Sequence, residues 1–266
     1  MVGAQLMVKV KVGLSMLHCL GEPFKTMVKQ ITRVETSHIE IVDDGFHALD
    51  KRRTSTLKNI SHSYNIKYSI HAPFADINIA SPSKQILKAM LKRLEKSIAF
   101  ASELNAYIWV FHPGLKTGIS MFYPEMDWLQ NLKTIRKLSK IAIDYGVEIA
   151  IENVPEPYPF LMKSVEHFTR FYRELDGEIG LVLDVGHANI NGQIELFLDS
   201  FADKIVHIHA HDNDGKEDQH LGISHGSVNW KNFAEKLKKI VYDKTVIVES
   251  VEHVEESVQK LKQLLS

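Results

Sequence analysis

One cysteine, Cys19, is all that the 266-residue chain contains. No internal disulfide or CxxC metal clip can form, so a reducing compartment is expected and any metal must be held by imidazole and carboxylate. An excess of one charge is also missing. The 32 Lys and Arg stand against 33 Asp and Glu, a formal net charge of −1, which excludes a global positive field for nucleic acid or an anionic membrane and leaves only local basic patches. The 8 prolines and 14 glycines are scattered. With no linker, low-complexity tract or sequence repeat, residues 1–266 read as a single domain, residues 1–6 forming a tail. The apolar runs are strand-sized and too short to span a bilayer. Lys9 and Lys11 interrupt the first apolar alternation, the wrong order for a signal peptide, so a cytoplasmic protein without membrane contact is expected.

Histidine is what the chain has in excess, 14 residues or about one in 19. Where these fall depends on the strands. Short β-branched runs recur at Val8–Ser15, His38–Val42, Lys67–His71, Ile108–His112, Glu148–Glu152, Gly180–Asp184, Ile205–His209 and Thr245–Glu249. Amphipathic segments separate them. Ser83 opens a stripe of Ile86, Met90 and Leu94; Glu125–Tyr145 carries Leu129, Leu132, Ile135 and Leu138 and stops at Gly146; Ser164–Leu175 stops at Asp176-Gly177; Val254–Leu265 closes the chain. Eight βα units with nearly continuous apolar strands predict an α/β protein, a (β/α)8 TIM barrel, with a doubly wound open sheet as the alternative.

In such a barrel the C-terminal strand ends converge on one mouth. The third strand ends at His71, the fourth at His112, the fifth at Glu152, the sixth at Asp184 with His187 just beyond, the seventh at His209 and the eighth at Glu249. A long polar loop after the seventh strand adds Asp212, Asp218 and His220. One histidine at a strand end is ordinary, but six successive strands ending in His, Asp or Glu gather carboxylates that would be costly to bury without a metal. The other histidines lack such company. His207, two residues before His209, reads as barrel core. His18, His62, His167 and His253 read as surface, His38 lies at the opposite end, His47 follows the second strand, and His211 and His225 are undecided. Trp109 and Trp128 read as packing, and Trp230 as the start of a helix.

The segments HAPFADINIAS, FHPG, ENVPEP, LDVGHAN, HIHAHDNDG, DQHLG and VES, in that order at the strand ends, resemble the xylose isomerase-like TIM-barrel superfamily from about Val8 onward. Within it they are most similar to the endonuclease IV family of metal-dependent abasic-site nucleases. That resemblance implies a trinuclear zinc cluster. His71 and His112 would hold one ion, with Glu152 bridging to a second; Asp184, His209 and Glu249 would complete the second; His187, Asp218 and His220 would hold the third. The superfamily also contains sugar isomerases and epimerases that use one metal at the positions of Glu152, Asp184, His209 and Glu249, where the two glutamates shuttle the proton.

The sequence departs from the nuclease pattern in places. The loop after the second strand, Val42-Asp43-Asp44-Gly45-Phe46, is acidic and closer to the isomerase branch; Phe74 stands at an aromatic position without a hydroxyl; and Lys84, Lys116 and Lys216 are the only evident cations of the βα loops. Two readings follow. The first is phosphodiester or phosphoester hydrolysis at two to three divalent ions, Zn2+ first and Mn2+ or Co2+ also compatible, on a sugar-phosphate-type substrate or abasic DNA. The alternative is a one-metal sugar or sugar-phosphate isomerase or epimerase, with Glu152 and Glu249 as acid and base and His187 orienting a hydroxyl. A non-catalytic ligand-binding barrel is the third possibility. The oligomeric state is open.

Overall fold

Short runs of β-branched residues make the inner layer. In the computed structural model, which describes residues 10–266, they form β1 (Lys11–Ser15), β2 (His38–Val42), β3 (Lys67–His71), β4 (Ile108–Phe111), β5 (Ile149–Glu152), β6 (Gly180–Asp184), β7 (Ile205–Ala210) and β8 (Thr245–Val248). Each strand pairs in parallel with its sequence neighbour, and β8 pairs with β1, so the sheet closes into a barrel. Around it run α1 (Phe24–Ile31), α2 (Lys51–Tyr64), α3 (Lys84–Glu103), α4 (Met126–Tyr145), α5 (Val165–Glu174), α6 (Val185–Ile190), α7 (Ile194–Phe201), α8 (Trp230–Lys239) and α9 (Val254–Leu264). The expected (β/α)8 barrel is the observed fold. Residues 1–6, and the Val8 and Lys9 end of the first expected strand, lie outside the described residues.

Differences from expectation are local. β4 stops at Phe111, one residue short, because Pro113 follows His112 and has no N–H for the ladder. Helix punctuation works as read: Ser83 accepts from the Ile86 N–H, Ser164 from the His167 N–H, and Gly146 ends α4 at φ +67°. Ile86 and Leu129, expected on buried stripes, are exposed instead, and each lies in the first turn of its helix, before the buried residues of α3 begin at Leu94 and beside Trp128 and Leu132 in α4. Trp230 does begin α8.

Side-chain alternation divides the strands into two faces. Trp109 and Phe111 stack at 5.3 Å on the outer face of β4, where the indole N–H donates to Ser97 of α3 at 3.0 Å. Trp128 is buried on α4, with Arg170 over its ring. Ile108, Val110, Ala150 and Val182 point inward and form a small apolar plug. Two residues further along the same face come His112, Glu152 and Asp184. The mouth is therefore set by period two: whatever follows the inward plug residue by two positions is delivered to it. No described helix is long and apolar enough to cross a membrane.

Candidate active site

Three abutting donor sets occupy the mouth. His71, His112 and Glu152 make the first; Glu152, Asp184, His209 and Glu249 the second; His187, His211, Asp218 and His220 the third. All nine positions named from sequence fall into these sets, and His211 joins them. In the first, His71 Nε2 lies 3.2 Å from His112 Nε2 and 3.5 Å from Glu152 Oε2, which is 3.3 Å from His112 Nε2. In the second, His209 Nδ1 is 3.1 Å from Glu152 Oε1, 3.5 Å from Glu249 Oε2 and 4.0 Å from Asp184 Oδ2. In the third, His187 Nε2 and His220 Nε2 approach the two Asp218 oxygens at 3.3 and 3.5 Å.

These separations suit a cation. Ligand bonds of ~2.0–2.1 Å at tetrahedral angles put neighbouring donor atoms about 3.3 Å apart. Glu152 Oε2, Asp184 Oδ2, Asp218 Oδ1 and His211 Nε2 are buried without a hydrogen-bond partner, as acceptors awaiting an ion would be. The histidines are oriented for it too. His71 Nδ1 donates to the Ala72 carbonyl at 2.9 Å, His187 Nδ1 to the Asn153 carbonyl at 2.8 Å and His220 Nδ1 to the Glu249 carbonyl at 2.9 Å. Each leaves its other nitrogen facing the donor set, the usual way a protein fixes a ligand tautomer.

Three supporting residues were not legible in the sequence. Glu40, fully buried on β2, reaches across the barrel, with Oε2 3.2 Å from His207 Nε2 and Oε1 3.1 Å from His209 Nε2. It backs His209 as the carbonyls back the others, and His207 is the core residue expected. Asn153 ties β5 to β6 by accepting from the Asp184 N–H at 2.7 Å and donating to the Asp184 carbonyl at 3.0 Å. His211 fits because residue 186 is glycine: a Cβ there would lie 2.0 Å from His211 Cε1. Asp184 itself caps α6, accepting from the His187 N–H at 2.7 Å, so one side chain fixes the next.

Several acidic residues turn out to be scaffold. Asp212, adjacent to the seventh strand, accepts from the N–H groups of Asn213, Ser224 and Val228 and from the Trp230 indole, and so knots the loop that carries Asp218 and His220. Asp43 is held by Arg93 of α3 at 2.7 Å, and Asp44 accepts from the Phe74 and Ala75 N–H groups at 3.0 and 2.9 Å. The acidic loop after β2 thereby braces the loop after β3. Of the remaining histidines, His62 and His253 are exposed and His18 and His167 half-buried, while His47 is buried and donates to the Glu22 carbonyl.

Crowding splits the carboxyls. Burial raises Glu152, but the His209 charge and the close approach of the His112, His209 and His71 rings hold it well below its usual value. Burial pushes Glu249 up to about 7, with the nearby Glu40 and Glu152 charges adding to the push against His209. Burial also opposes charge on His71 and His187, yet Glu152 raises the first to about 9, and Asp184 with Asp218 raises the second to about 10.

Above the donors opens a cavity of about 540 Å³, whose rim includes Leu17, Leu20, Val42, Phe74, Phe160 and Val251. No Lys or Arg among the described residues lines it. Phe74 lies edge-on to His71 at 5.5 Å and tilted over His112 at 5.8 Å.

A closed βα barrel with ionisable side chains gathered at its C-terminal mouth is an enzyme architecture. The chain belongs to the xylose isomerase-like TIM barrel family, whose model matches residues 29–265. It is 31% identical over 245 residues to an uncharacterized protein of Methanocaldococcus jannaschii, covering 91% of this chain and 84% of that one. It is also similar to a solved structure described as a D-tagatose 3-epimerase-like protein, with a TM-score of 0.90 at 30% identity over 96% of this chain and 97% of that one. Similarity to a protein of Aquifex aeolicus named "Probable endonuclease 4" is 24% over 191 residues, 64% of each chain.

Proposed function

We propose that the protein is a divalent-metal-dependent epimerase or isomerase of a neutral ketose. One observation carries this reading: the Glu152 and Glu249 carboxyls flank His209 at the floor of a cavity whose wall offers no Lys or Arg among the described residues. A phosphorylated sugar or a DNA backbone calls for Lys or Arg at the mouth. A polyol calls for hydrogen-bonding groups on one side and tolerates apolar contact on the other. Similarity over nearly the whole length to an epimerase-like structure supports the same branch, whereas the endonuclease similarity spans less of the chain.

Glu152, Asp184, His209 and Glu249 would hold the ion. When bound, it draws two substrate oxygens into place and stabilises the charge that develops on the enediolate. One glutamate takes the proton from the carbon next to the ketose carbonyl, the C–H electron pair moving into the enediolate. The other glutamate returns a proton to the opposite face of that carbon. The roles exchange for the reverse epimer, so each carboxyl serves as base in one direction and acid in the other. His187 orients a substrate hydroxyl through Nε2, and the Leu17, Leu20 and Phe160 rim keeps bulk water from the enediolate.

Phosphoester hydrolysis retains one observation in its favour. The sets around His71 and His112, and around His187, His211, Asp218 and His220, adjoin the four-residue set closely enough for a multinuclear centre. Metal content of the mouth separates the readings: one ion held there supports the epimerase, two to three support the hydrolase. The direct test is turnover of unphosphorylated ketoses against incision of an abasic duplex, with the metal supplied.

A further inference from the structure

His225, His253 and Glu256 lie outside the mouth, and neither chemical reading uses them. All three are exposed, and their potential ligand atoms lie within 4.8 Å of one another. The two imidazoles stack face to face, with centroids 4.0 Å apart and planes at 14°. Both direct a nitrogen at the same carboxylate, His225 Nε2 at 3.5 Å from Glu256 Oε1 and His253 Nδ1 at 3.3 Å from Oε2. The two N···O separations match those of donors that share a tetrahedral ion, about 3.3 Å for ligand bonds of ~2.0–2.1 Å; the exposed rings have to turn out of their stack for one ion to lie in both ring planes.

The backbone around the cluster is shaped to bring the rings together. His253 sits at φ +50°, a left-handed conformation that costs a non-glycine residue energy and needs compensation. Residue 222 is glycine, where a Cβ would lie 2.8 Å from His253 Cβ and 3.0 Å from His225 Cδ2. His253 and Glu256 are three apart at the start of α9 and so share a face. His225 comes from the loop between β7 and α8, the loop that carries Asp218 and His220.

We propose that His225, His253 and Glu256 form a second, exterior zinc site that staples the loop between β7 and α8 to the start of α9. Two imidazoles and a carboxylate, with water completing the coordination, are a zinc donor set. The staple would extend joints already present between the same segments. The Val251 N–H donates to the His220 carbonyl at 2.9 Å, and the Ile223 N–H donates to Ser257 Oγ at 2.9 Å. His220 is five residues before His225 and Glu249 four before His253, so an ion here fixes the loop bases of two mouth residues from outside. The site is independent of which reaction the mouth performs.

The test is a zinc chloride titration of the full chain, with free zinc set by a chelator buffer, on wild type, Glu256→Gln and the His225→Ala/His253→Ala double variant. The mouth donors are intact in all three, so the difference in stoichiometry isolates the exterior site. The expected result is one zinc fewer per chain in both variants at micromolar free zinc. Zinc should also slow amide exchange across residues 221–226 and 250–257 in wild type, and less so in the variants. Equal stoichiometry in the three proteins, or occupancy of the exterior site only at millimolar zinc, would overturn the proposal. Glu256→Gln changes no shape on an exposed helix face, so its zinc count stands even if the double variant folds poorly.

Discussion

The floor and the rim of the mouth are opposites. The floor is a crowd of imidazoles and carboxylates, many wholly buried, with oxygens lacking partners; the rim is mostly apolar, with leucine, valine and phenylalanine and no Lys or Arg among the described residues. A site built to hold a phosphorylated polymer would carry positive charge outward from the metal, where the backbone lies. On the proposed reading the chemistry is confined to the floor, and the rim would sort by shape and neutrality. The difference points to a small uncharged substrate drawn down onto a charged floor.

The strongest way to break the comparison is at the floor. Glu152→Gln and Glu249→Gln should each lower kcat for ketose turnover by about 10²–10⁴, the usual scale of general acid or base catalysis, with the fold kept as judged by circular dichroism. Retained turnover in either variant would remove the acid/base pair. Beneath the floor, Glu40→Ala should weaken metal binding by about 10–100-fold, because His209 loses the carboxylate that fixes its tautomer. Competition titration against a chelator measures this without activity, and unchanged affinity would assign Glu40 to packing alone.

His112→Ala sharpens the contrast between one ion and several. If Glu152, Asp184, His209 and Glu249 hold the working ion, kcat should stay within about tenfold and KM should rise, since the lost ring lines the cavity but is not a ligand of that ion. Loss of nearly all turnover would favour a multinuclear centre. The smallest effect concerns pH. In metal-free protein the charged forms of His71 and His187 are favoured up to about 9 and about 10. The stability they add is complete below their unfolded value near 6.5 and is lost as pH rises through the folded values. Glu249, raised to about 7, prefers its neutral form when folded, so its contribution also falls as pH rises toward 7. The Tm of metal-free protein should therefore decline from neutral to alkaline pH. Metal should reverse that slope, because binding displaces these protons. A flat or rising apo profile would contradict the charge assignment.

The strand-end donors were legible because period two is rigid: once Val110, Ala150 and Val182 are inward, His112, Glu152 and Asp184 must be as well. Glu40 obeys the same rule in HIEIV, but it sits in mid-strand, and its partners His207 and His209 lie 167 and 169 residues away. The unanswered polar pair on β7 was the available signal, since two inward histidines need an acceptor across the barrel. Asp212 shows the converse. It stands beside the ligand row, yet its oxygens accept the loop N–H groups that hold Asp218 and His220. Whether a carboxylate faces an ion or a backbone turn depends on loop geometry, which no local pattern encodes. Ile86 and Leu129 show the limit of helical periodicity, because a stripe gives direction but not which of its turns is covered.

The most direct measurement of the central claim is solvent isotope exchange. Metal-loaded protein is incubated with unphosphorylated ketohexoses in D2O, and the sugars are followed by NMR. The account predicts deuterium at the carbon next to the carbonyl together with appearance of the epimer, both lost in Glu152→Gln. No deuterium in any ketose, with cleavage of an abasic duplex by the same preparation, would contradict it.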